Sequence, residues 1–411
     1  MSLLDRLAET SVRSKLATLK GGRLTLIDGE HTSVHGEKGS INVTVTILNP
    51  RFYRAVAFGG HVGAAESYAE GIWTTEDLTS LVRLFVCNRE VLDGMETGMA
   101  RLAQPLRQLL HSKNRNTEAG SRRNIRAHYD LGNDFFREFL DETMTYSAGI
   151  FDKPESTLKE ASLAKYDRLC RKLALSPEDH VIEIGSGWGG FALHAAQHYG
   201  CRVTTTTISE EQHALANLRV QEAGLGDRIT ILLEDYRKLT GTFDKLVSIE
   251  MIEAVGHHYF ESFFSQCAQL LSPNGLAAIQ AITIQDRFYD SARREVDFIK
   301  KYIFPGSCIP SITALSTAAS VTDLRLVHLE DLTPHYAETL RHWRARFLER
   351  WNRIEAQGFD EYFKKIWEFY FCYCEGGFDE AALGSLQFLY AKPKAALPDL
   401  GDLPSLGRHI P

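Results

Sequence analysis

The chain has 411 residues, of which 44% are hydrophobic and 24% are charged, a composition that fits a folded globular protein and excludes a disordered or fibrous one. Its formal net charge of −7 argues against nucleic acid and, taken over the whole chain, against an anionic membrane. The seven cysteines include no CxxC pair and no Cys/His cluster, so we expect neither a metal site nor a disulfide framework.

The N-terminal block, residues 1–110, predicts a small α+β domain. It begins with MSLLDRLAETSVRSKLATLKGG, which lacks the apolar core of a signal peptide, and no apolar run in the chain approaches the roughly 18 residues that span a bilayer. We therefore expect a cytoplasmic protein. Alternating stretches such as GRLTLID and SINVTVTIL predict strands, and a helical segment runs from Thr75 to about Val91. The block contains no catalytic cluster.

A cationic linker follows the first block. Residues 1–110 carry 12 side chains of each sign, whereas residues 111–126 carry 5 basic and 1 acidic and residues 127–411 carry 29 basic and 40 acidic. The polar stretch HSKNRNTEAGSRRN at 111–124 therefore predicts a basic linker between a neutral domain and an acidic domain at 125–411. A solvated connection without any partner is an equally good interpretation of this charge.

From residue 180 onward, short β-branched segments alternate with helical ones. This alternation predicts a parallel sheet with helices on both faces and a ligand at the carboxyl ends of its strands. The last two strands are separated by a long helical block, residues 336–374. The fold class is therefore α/β, a doubly wound, seven-stranded Rossmann-like sheet that ends in an antiparallel edge. The seven predicted strands are HVIEIG, CRVTTTTI, RITILLE, FDKLVSIE, GLAAIQAITI, LRLVHLE and SLQFLYA.

The segment VIEIGSGWGGFALHAA predicts a strand, a glycine-rich turn and a helix. Glycines at 185, 187, 189 and 190 let the backbone turn sharply and approach a ligand, and the helix start presents unpaired amides. Gly185, Gly187 and Gly190 also fit GxGxxG, so a dinucleotide site has to be considered. A tight turn without a ligand is the remaining alternative.

Two features favour S-adenosylmethionine over a dinucleotide. Glu183 lies just before the turn, where its charge would oppose a pyrophosphate but suits the ammonium of an amino acid. The second strand ends in TTTTIS without an acid before Glu210, whereas an NAD site expects a carboxylate there. After the third strand, Asp235 and Tyr236 offer an acid for the adenine amino group and an aromatic face for its ring.

Several ordered motifs resemble the cyclopropane-fatty-acid synthases, which are similar to methyltransferases that act on phospholipid acyl chains. The match runs over nearly all of residues 125–395 and is looser over 1–110, chiefly at HVGAAESYAEGIW (61–73). The motifs on which the resemblance depends are HYDLGNDFFREFLDETMTYSAGIF (128–151), IGSGWGGFA (184–192), TISEEQ (207–212), EMIEAVGHHYFESFF (250–264), DFIKKYIFPGSCIPS (297–311), YAETL (336–340) and YCEGGF (373–378).

The resemblance implies roles for individual residues. It places Glu253 in a catalytic pocket, where the family holds a bicarbonate ion thought to accept a proton. It places Tyr336 in the same pocket and puts Cys374 at the position of a cysteine often assigned to the active site. The cofactor, S-adenosylmethionine, would be lined by Tyr146, Ser147, Gly185, Gly187, Trp188, Thr207, Gln212, Tyr236 and Arg237, to which the glycine turn and the third strand add Gly189 and Asp235.

Two positions of this pocket depart from the family pattern. The family usually has a cysteine at Ala148 and a histidine at Gln280. An alanine offers no thiol and a glutamine carries no positive charge, so an anion in the pocket would have fewer partners than usual. The presence of bicarbonate therefore stays open, and Gln280 itself becomes a candidate for the catalytic site.

The position of a base would decide the product. An isolated double bond is a poor nucleophile, and its methylation leaves a carbocation that needs a dry, aromatic-lined cavity. If the base removes a proton from the added methyl group, a cyclopropane ring closes, and this is the leading hypothesis; removal from a chain carbon gives a methyl-branched alkene. Glu253 could act directly or through a bound anion, or only favour a helix start. Cys374 is better explained by packing than by nucleophilic attack.

The expected partner is a phospholipid bilayer with unsaturated acyl chains, contacted from the cytoplasm at the inner membrane face. The first domain would then be lipid-associated, and the basic linker residues could contact headgroups; these are Lys113, Arg115, Arg122, Arg123 and Arg126. No nucleic acid is expected, and the oligomeric state stays open, a homodimer being one option. Two competing hypotheses are an NAD-dependent oxidoreductase and a lipid-binding protein that has lost its activity.

Overall fold

The computed structural model describes residues 3–89, 120–121 and 131–399. The chain divides into two compact units. The first comprises Met1–Lys113, Arg294–Pro305 and Trp343–Ala382, and the second comprises Asn114–Arg293, Gly306–His342 and Leu383–Pro411. The predicted linker, apart from residues 120–121, and the five basic residues assigned to it lie outside the described residues.

A four-stranded sheet forms the centre of the first unit. Its strands are β1 (Gly22–Asp28), β2 (His31–Gly36), β3 (Ile41–Ile47) and β4 (Trp73–Thr75), in the order β2-β1-β3-β4. β1 and β3 are parallel, and the other two pairs are antiparallel. Every second residue of β3 is buried, as its apolar and polar alternation predicts. The helices are α1 (Leu3–Leu16), α2 (Arg51–Ala69) and α3 (Leu78–Cys87).

The first unit also contains two segments from the second half of the chain, Arg294–Pro305 and Trp343–Ala382. Helix α13 (Glu361–Asp379) packs against α2 and α3. Phe369 lies 6.0 Å from the ring of Tyr68, and Gly376 approaches Val82 so closely that a Cβ there would lie 2.7 Å from it. Local pattern reveals that α13 is apolar but not which distant helices cover it.

The seven-stranded sheet of the second unit confirms the predicted fold class. The strands run in the order β10-β11-β9-β8-β5-β6-β7. β5 to β9 pair in parallel, whereas β11 pairs antiparallel with both β9 and β10, which gives the expected antiparallel edge. The strands are β5 (His180–Ile184), β6 (Arg202–Thr207), β7 (Ile229–Leu233), β8 (Phe243–Ile249), β9 (Leu271–Ile284), β10 (Arg325–Asp331) and β11 (Leu383–Ala391).

Helices connect these strands, and two apolar clusters bury the faces of the sheet. The helices of this unit are α4 (Asn133–Phe139), α5 (Leu158–Lys172), α6 (Gly190–Tyr199), α7 (Glu210–Glu222), α8 (Phe260–Leu270), α9 (Asp286–Ala292) and α10 (Ile312–Ala319). Helix α11 (Thr333–Glu349) begins in this unit and ends in the first, which also contains α12 (Trp351–Glu355). The chain passes from β5 to β6 and β7 on one side and continues with β8 and β9 on the other. The carboxyl ends of β5 and β8 therefore flank a topological switch point, where sheets of this type bind ligands.

Candidate active site

The turn after β5 is built from glycines with left-handed backbone conformations. Gly185, Gly187 and Gly189 have φ angles of 98°, 48° and 84°. Gly185 donates its backbone N–H to the carbonyl of Thr206 on β6, 3.1 Å away, which ties the turn to the sheet. A Cβ at Gly187 would meet no atom within 4 Å, so the backbone borders open space there. Helix α6 begins directly after the turn without a side-chain cap, which leaves its first amides available to a ligand.

A buried carboxylate lies beside this turn. Glu183, on β5, is 2% exposed, and its Oε2 has no hydrogen-bond partner among the residues that the structure describes. Burial raises the pKa of Glu183 to about 8, and the nearby charge of Lys165 opposes that rise. A buried, unpaired carboxylate oxygen is costly to the folded protein. A ligand ammonium placed against it would remove that cost.

Lys165 is a second buried charge, which the sequence analysis did not identify. Its ammonium donates a hydrogen bond to Ser147 Oγ at 2.8 Å and lies over the ring of Tyr166, 4.1 Å from the centroid. Burial lowers the pKa of Lys165 to about 8, and the carboxylates of Glu250, Asp141 and Glu183 oppose that shift. The predicted cofactor residue Ser147 is thus fixed by a cation on α5.

The segments at the ends of β6 and β7 carry five more of the predicted residues. Thr207 donates its hydroxyl to Gln212 Oε1 at 2.8 Å, and both side chains are buried. Although burial disfavours its charge, hydrogen bonds from Arg237 hold the pKa of Asp235 below its usual range. The Arg237 guanidinium meets Asp235 at 2.6 Å and lies 5.6 Å from the ring centroid of Tyr236. These strand ends therefore present a fixed acid and an aromatic ring.

Tyr146 and Trp188 belong to an aromatic cluster with α4. The Phe136 ring lies 5.4 Å from Tyr146 and 5.1 Å from Trp188, centroid to centroid. Trp188 donates its indole N–H to Asn133 Oδ1 at 2.6 Å. The two predicted residues, 42 positions apart in the sequence, are thus joined through one phenylalanine.

The residues around the turn fit S-adenosylmethionine. The unpaired oxygen of Glu183 suits the amino-acid ammonium, the open backbone at Gly187 admits a close ligand, and Asp235 with Tyr236 suits adenine. When bound, the cofactor supplies an electrophilic methyl group. The contacts of individual residues with it stay predictions.

Glu250, the first residue after β8, is hydrogen-bonded to three residues of the predicted catalytic pocket. Its Oε1 accepts hydrogen bonds from the backbone N–H of Ala148 at 3.0 Å and from Gln280 Nε2 at 2.8 Å. Its Oε2 accepts one from the hydroxyl of Tyr336 at 2.7 Å. Three residues that sequence analysis placed in an anion pocket therefore bind a side-chain carboxylate of this chain.

Gln280 is oriented by a chain of buried hydrogen bonds across the sheet. Gln280 and Gln387 pair on β9 and β11, and Gln387 Nε2 donates to Gln280 Oε1 at 2.9 Å. Lys172 Nζ, 0% exposed and paired with Glu330 at 2.6 Å, donates to Gln387 Oε1 at 2.7 Å. Because an ammonium can only donate, this order fixes both amides and directs the NH₂ group of Gln280 at Glu250.

Glu253 lies three residues beyond Glu250. Its Oε1 accepts a hydrogen bond from the backbone N–H of Ile282. Its Oε2 is shielded from solvent and has no hydrogen-bond partner in the described part of the chain. Burial, reinforced by the neighbouring charge of Glu250, raises the pKa of Glu253 to about 8. Two adjacent carboxyl groups do not readily ionise together. Burial raises the pKa of Glu250 as well, but its three hydrogen-bond donors favour its charged form, so Glu253 is the more readily protonated of the two.

Cys374 belongs to the other unit, on α13. Burial raises the pKa of its thiol far above the usual range. A protonated thiol is a poor nucleophile, which agrees with a packing role. Its assignment to the catalytic site stays a prediction.

Besides Lys165, sequence reasoning missed Glu250. It stands in the quoted motif EMIEAVG, but only Glu253 was selected from that motif. One signal was available, because an acidic residue directly at the carboxyl end of a buried parallel strand is expected at the ligand edge of the sheet. Its partners come from residues 30 to 102 positions away, and that assembly is not local.

The fold and this site define the class: the protein is a S-adenosylmethionine-dependent methyltransferase. The sequence profile described as mycolic acid cyclopropane synthetase matches residues 116–388, and the chain belongs to this family.

Two relatives and one solved structure show the extent of the similarity. A tuberculostearic acid methyltransferase of Mycobacterium tuberculosis is 39% identical over 343 residues, which cover 82% of this chain and 80% of that protein. The cyclopropane-fatty-acyl-phospholipid synthase of Escherichia coli is 33% identical over 362 residues, 86% of this chain and 89% of that enzyme. A mycolic acid cyclopropane synthase complexed with SAH and CTAB superposes with a TM-score of 0.63 and 31% identity, covering 66% of this chain and 98% of that structure.

Proposed function

We propose that this methyltransferase alkylates the cis double bond of an unsaturated phospholipid acyl chain and closes a cyclopropane ring. The observation that carries the proposal is the carboxyl group of Glu250, which accepts three hydrogen bonds next to the cofactor turn. A Cβ on Gly185 would lie 3.0 Å from the side chain of Met251, so the end of β8 touches the turn that would hold the methyl donor. The double-bond substrate is inferred from the names of the relatives.

The proposed reaction places three requirements on the protein. It must align the double bond with the methyl donor, exclude water, and stabilise a carbocation until a proton leaves. Aromatic faces stabilise such a cation, and Tyr146 and Trp188 lie at the cofactor turn in contact with Phe136. A base near the same point then ends the reaction by removing the proton.

A second product is supported by a specific observation. Loss of the proton from a chain carbon, instead of from the added methyl group, gives a methyl-branched alkene. The relative with 39% identity is named a methyltransferase and not a cyclopropane synthase, and Ala148 and Gln280 alter the surroundings of the base. Both outcomes use the same methylation step and differ only in which hydrogen the base reaches.

The proposal includes a membrane partner, because an acyl chain of a phospholipid resides in a bilayer. Within the ranges that the structure describes, no helix is long and apolar enough to cross a membrane. Access would therefore be from the surface, at the inner face, with the basic residues of 111–126 attracted to anionic headgroups. Bound vesicles of anionic lipid, and weaker binding at high salt, are the expected results of a flotation assay.

Lipid mass spectrometry tests the reaction. A host that makes unsaturated but no modified acyl chains is grown with deuteromethyl methionine, with and without the protein. Ring closure leaves two of the three methyl deuterium atoms in the product, whereas a methyl branch keeps all three. Unchanged lipids, despite SAH binding by the purified protein, would contradict the proposed activity and favour a lipid-binding protein without catalysis.

A further inference from the structure

The backbone at Glu250 is held in a conformation that glutamate rarely adopts. Its φ angle is 49°, in the left-handed region, which is unfavourable for a residue with a Cβ atom. The backbone N–H of Glu250 donates to the carbonyl of Gln280 at 2.8 Å, which fixes the chain at this point. Such strain persists where the surrounding structure holds a residue in place, and it concentrates at functional sites.

The three donors around Glu250 would otherwise form a receptor for an external anion. They are the amide of Ala148, the NH₂ group of Gln280 and the hydroxyl of Tyr336, all directed at one carboxylate. A bicarbonate ion needs the same donors for its own oxygens. The pocket therefore does not fit bicarbonate in this position, because the Glu250 carboxylate takes every one of these bonds.

We propose that the Glu250 carboxylate replaces the external anion of the family and is itself the base that removes the proton. The enzyme would then turn over without bicarbonate. This inference rests on the proposed function, since it names the base of that reaction.

The hydrogen bonds also identify the reacting oxygen. Oε1 accepts two hydrogen bonds and has both lone pairs engaged, whereas Oε2 accepts, among the described residues, only the one from Tyr336. Oε2 therefore takes the proton. The electrons of the broken C–H bond form either the third side of the ring or a new double bond, and Glu250 becomes a neutral acid. The Tyr336 hydroxyl can then accept a hydrogen bond from the protonated Oε2 instead of donating one to it, because a hydroxyl can do both.

The test uses two substitutions and a matched control in the full-length protein. Glu250→Gln keeps the shape but cannot accept the proton. Glu250→Gly relieves the left-handed φ and opens a space of carboxylate size among the same donors. Glu261→Gln, on the exposed side of α8, is the control. Turnover is measured in carbon-dioxide-depleted buffer and again with added bicarbonate, formate or acetate, and SAH affinity is measured by calorimetry.

We expect wild-type turnover to be unaffected by bicarbonate and Glu250→Gln to lose at least about 100-fold at unchanged SAH affinity. Glu250→Gly should be equally slow and recover at least about tenfold when a small carboxylate or bicarbonate is added. Titration with ¹³C-bicarbonate should show binding to Glu250→Gly and none to the wild type. This second measurement does not depend on activity.

Two results would overturn the inference. One is a wild-type enzyme that stops in depleted buffer and resumes with bicarbonate; the other is a Glu250→Gln variant that retains full turnover. A failure of the proposed function looks different, because the wild type then leaves lipids unchanged under every condition. In that case bicarbonate binding by Glu250→Gly, but not by the wild type, would still establish that the side chain fills the anion site.

Discussion

Lys172 donates a hydrogen bond to Gln387 Oε1 over 2.7 Å, at the far end of a buried chain that reaches Glu250 through Gln280. The relationship matters because an amide can present either its oxygen or its NH₂ group, and only a fixed donor at one end decides which. An oxygen turned towards Glu250 would repel the carboxylate. The charge of Lys172 therefore determines the polarity of a site two side chains away.

Lys172→Met should disturb this order. We expect a loss of about 1–3 kcal/mol in the free energy of unfolding, because Gln387 loses its donor and Glu330 keeps only Arg168. Turnover should fall about tenfold, since Gln280 is no longer held as a donor to the base. Urea unfolding and lipid turnover measure the two effects. Lys159→Met, on the exposed face of the same helix, is the control; equal losses in both variants would contradict the relay.

Glu183→Gln should separate stability from cofactor binding. Burial raises the pKa of Glu183 to about 8, so between about pH 5 and 8 the folded protein holds a proton that the unfolded chain has lost. Stability therefore falls as pH rises through this range, and the glutamine variant should be more stable than the wild type at pH 8, by on the order of 1–3 kcal/mol. Unfolding at pH 6 and 8 measures this difference.

The same variant should bind the cofactor more weakly. An ammonium placed against Glu183 favours its ionised form, so Glu183 must lose its proton when SAH binds. Wild-type SAH affinity should therefore rise with pH up to about 8, because a growing fraction of Glu183 is already ionised before binding. In Glu183→Gln the affinity should be at least about tenfold lower and lose this dependence. Calorimetry with SAH at several pH values is the measurement, and an unchanged affinity would show that the ammonium binds elsewhere.

Sequence alone predicted the sheet and the cofactor turn because both depend on local signals. Alternation of short β-branched strands with helices fixed the number of strands, and the left-handed turn requires glycines that can be seen in the sequence. The anion pocket depends instead on strand register. Gln280 stands opposite Ile249 on β8 and Gln387 on β11, and a shift of one residue would turn its side chain to the other face.

The sequence therefore showed that Gln280 stands where the family usually has a histidine, but it did not show why. The family pattern suggested that an anion in the pocket would be held by fewer partners than usual. In the structure, Gln280 and the amide of Ala148 both serve a carboxylate that comes from the chain itself. A resemblance to a family indicates which positions belong to the pocket. That Gln280 donates its hydrogen bond to Glu250 becomes apparent only when β8 and β9 are paired.

Gly187→Ala tests whether the cofactor lies against the turn. Alanine at φ 48° should cost about 1–2 kcal/mol in the free energy of unfolding, although its Cβ would meet no protein atom within 4 Å. SAH affinity should fall by at least about tenfold if that space belongs to the ligand. Gly224→Ala is the control, because Gly224 has φ 65° and is equally open. We expect the two variants to lose similar stability and only Gly187→Ala to bind SAH more weakly. Equal SAH affinities would show that the ligand does not lie against Gly187.

Tyr336→Phe tests the contact that is predicted to receive the proton. The Tyr336 hydroxyl stabilises the charged form of Glu250, while burial raises the pKa of Glu250 above its usual value. Without that hydroxyl the pKa should rise further, so the acidic limb of the pH profile of kcat should move to higher pH. At neutral pH, kcat should fall about 10- to 100-fold with little change in KM, because the proton on Oε2 loses its acceptor. Tyr199→Phe, which also removes a phenol bonded to a carboxylate, Asp167 at 2.7 Å, is the control. If both variants keep the wild-type pH profile, Tyr336 does not act on the base.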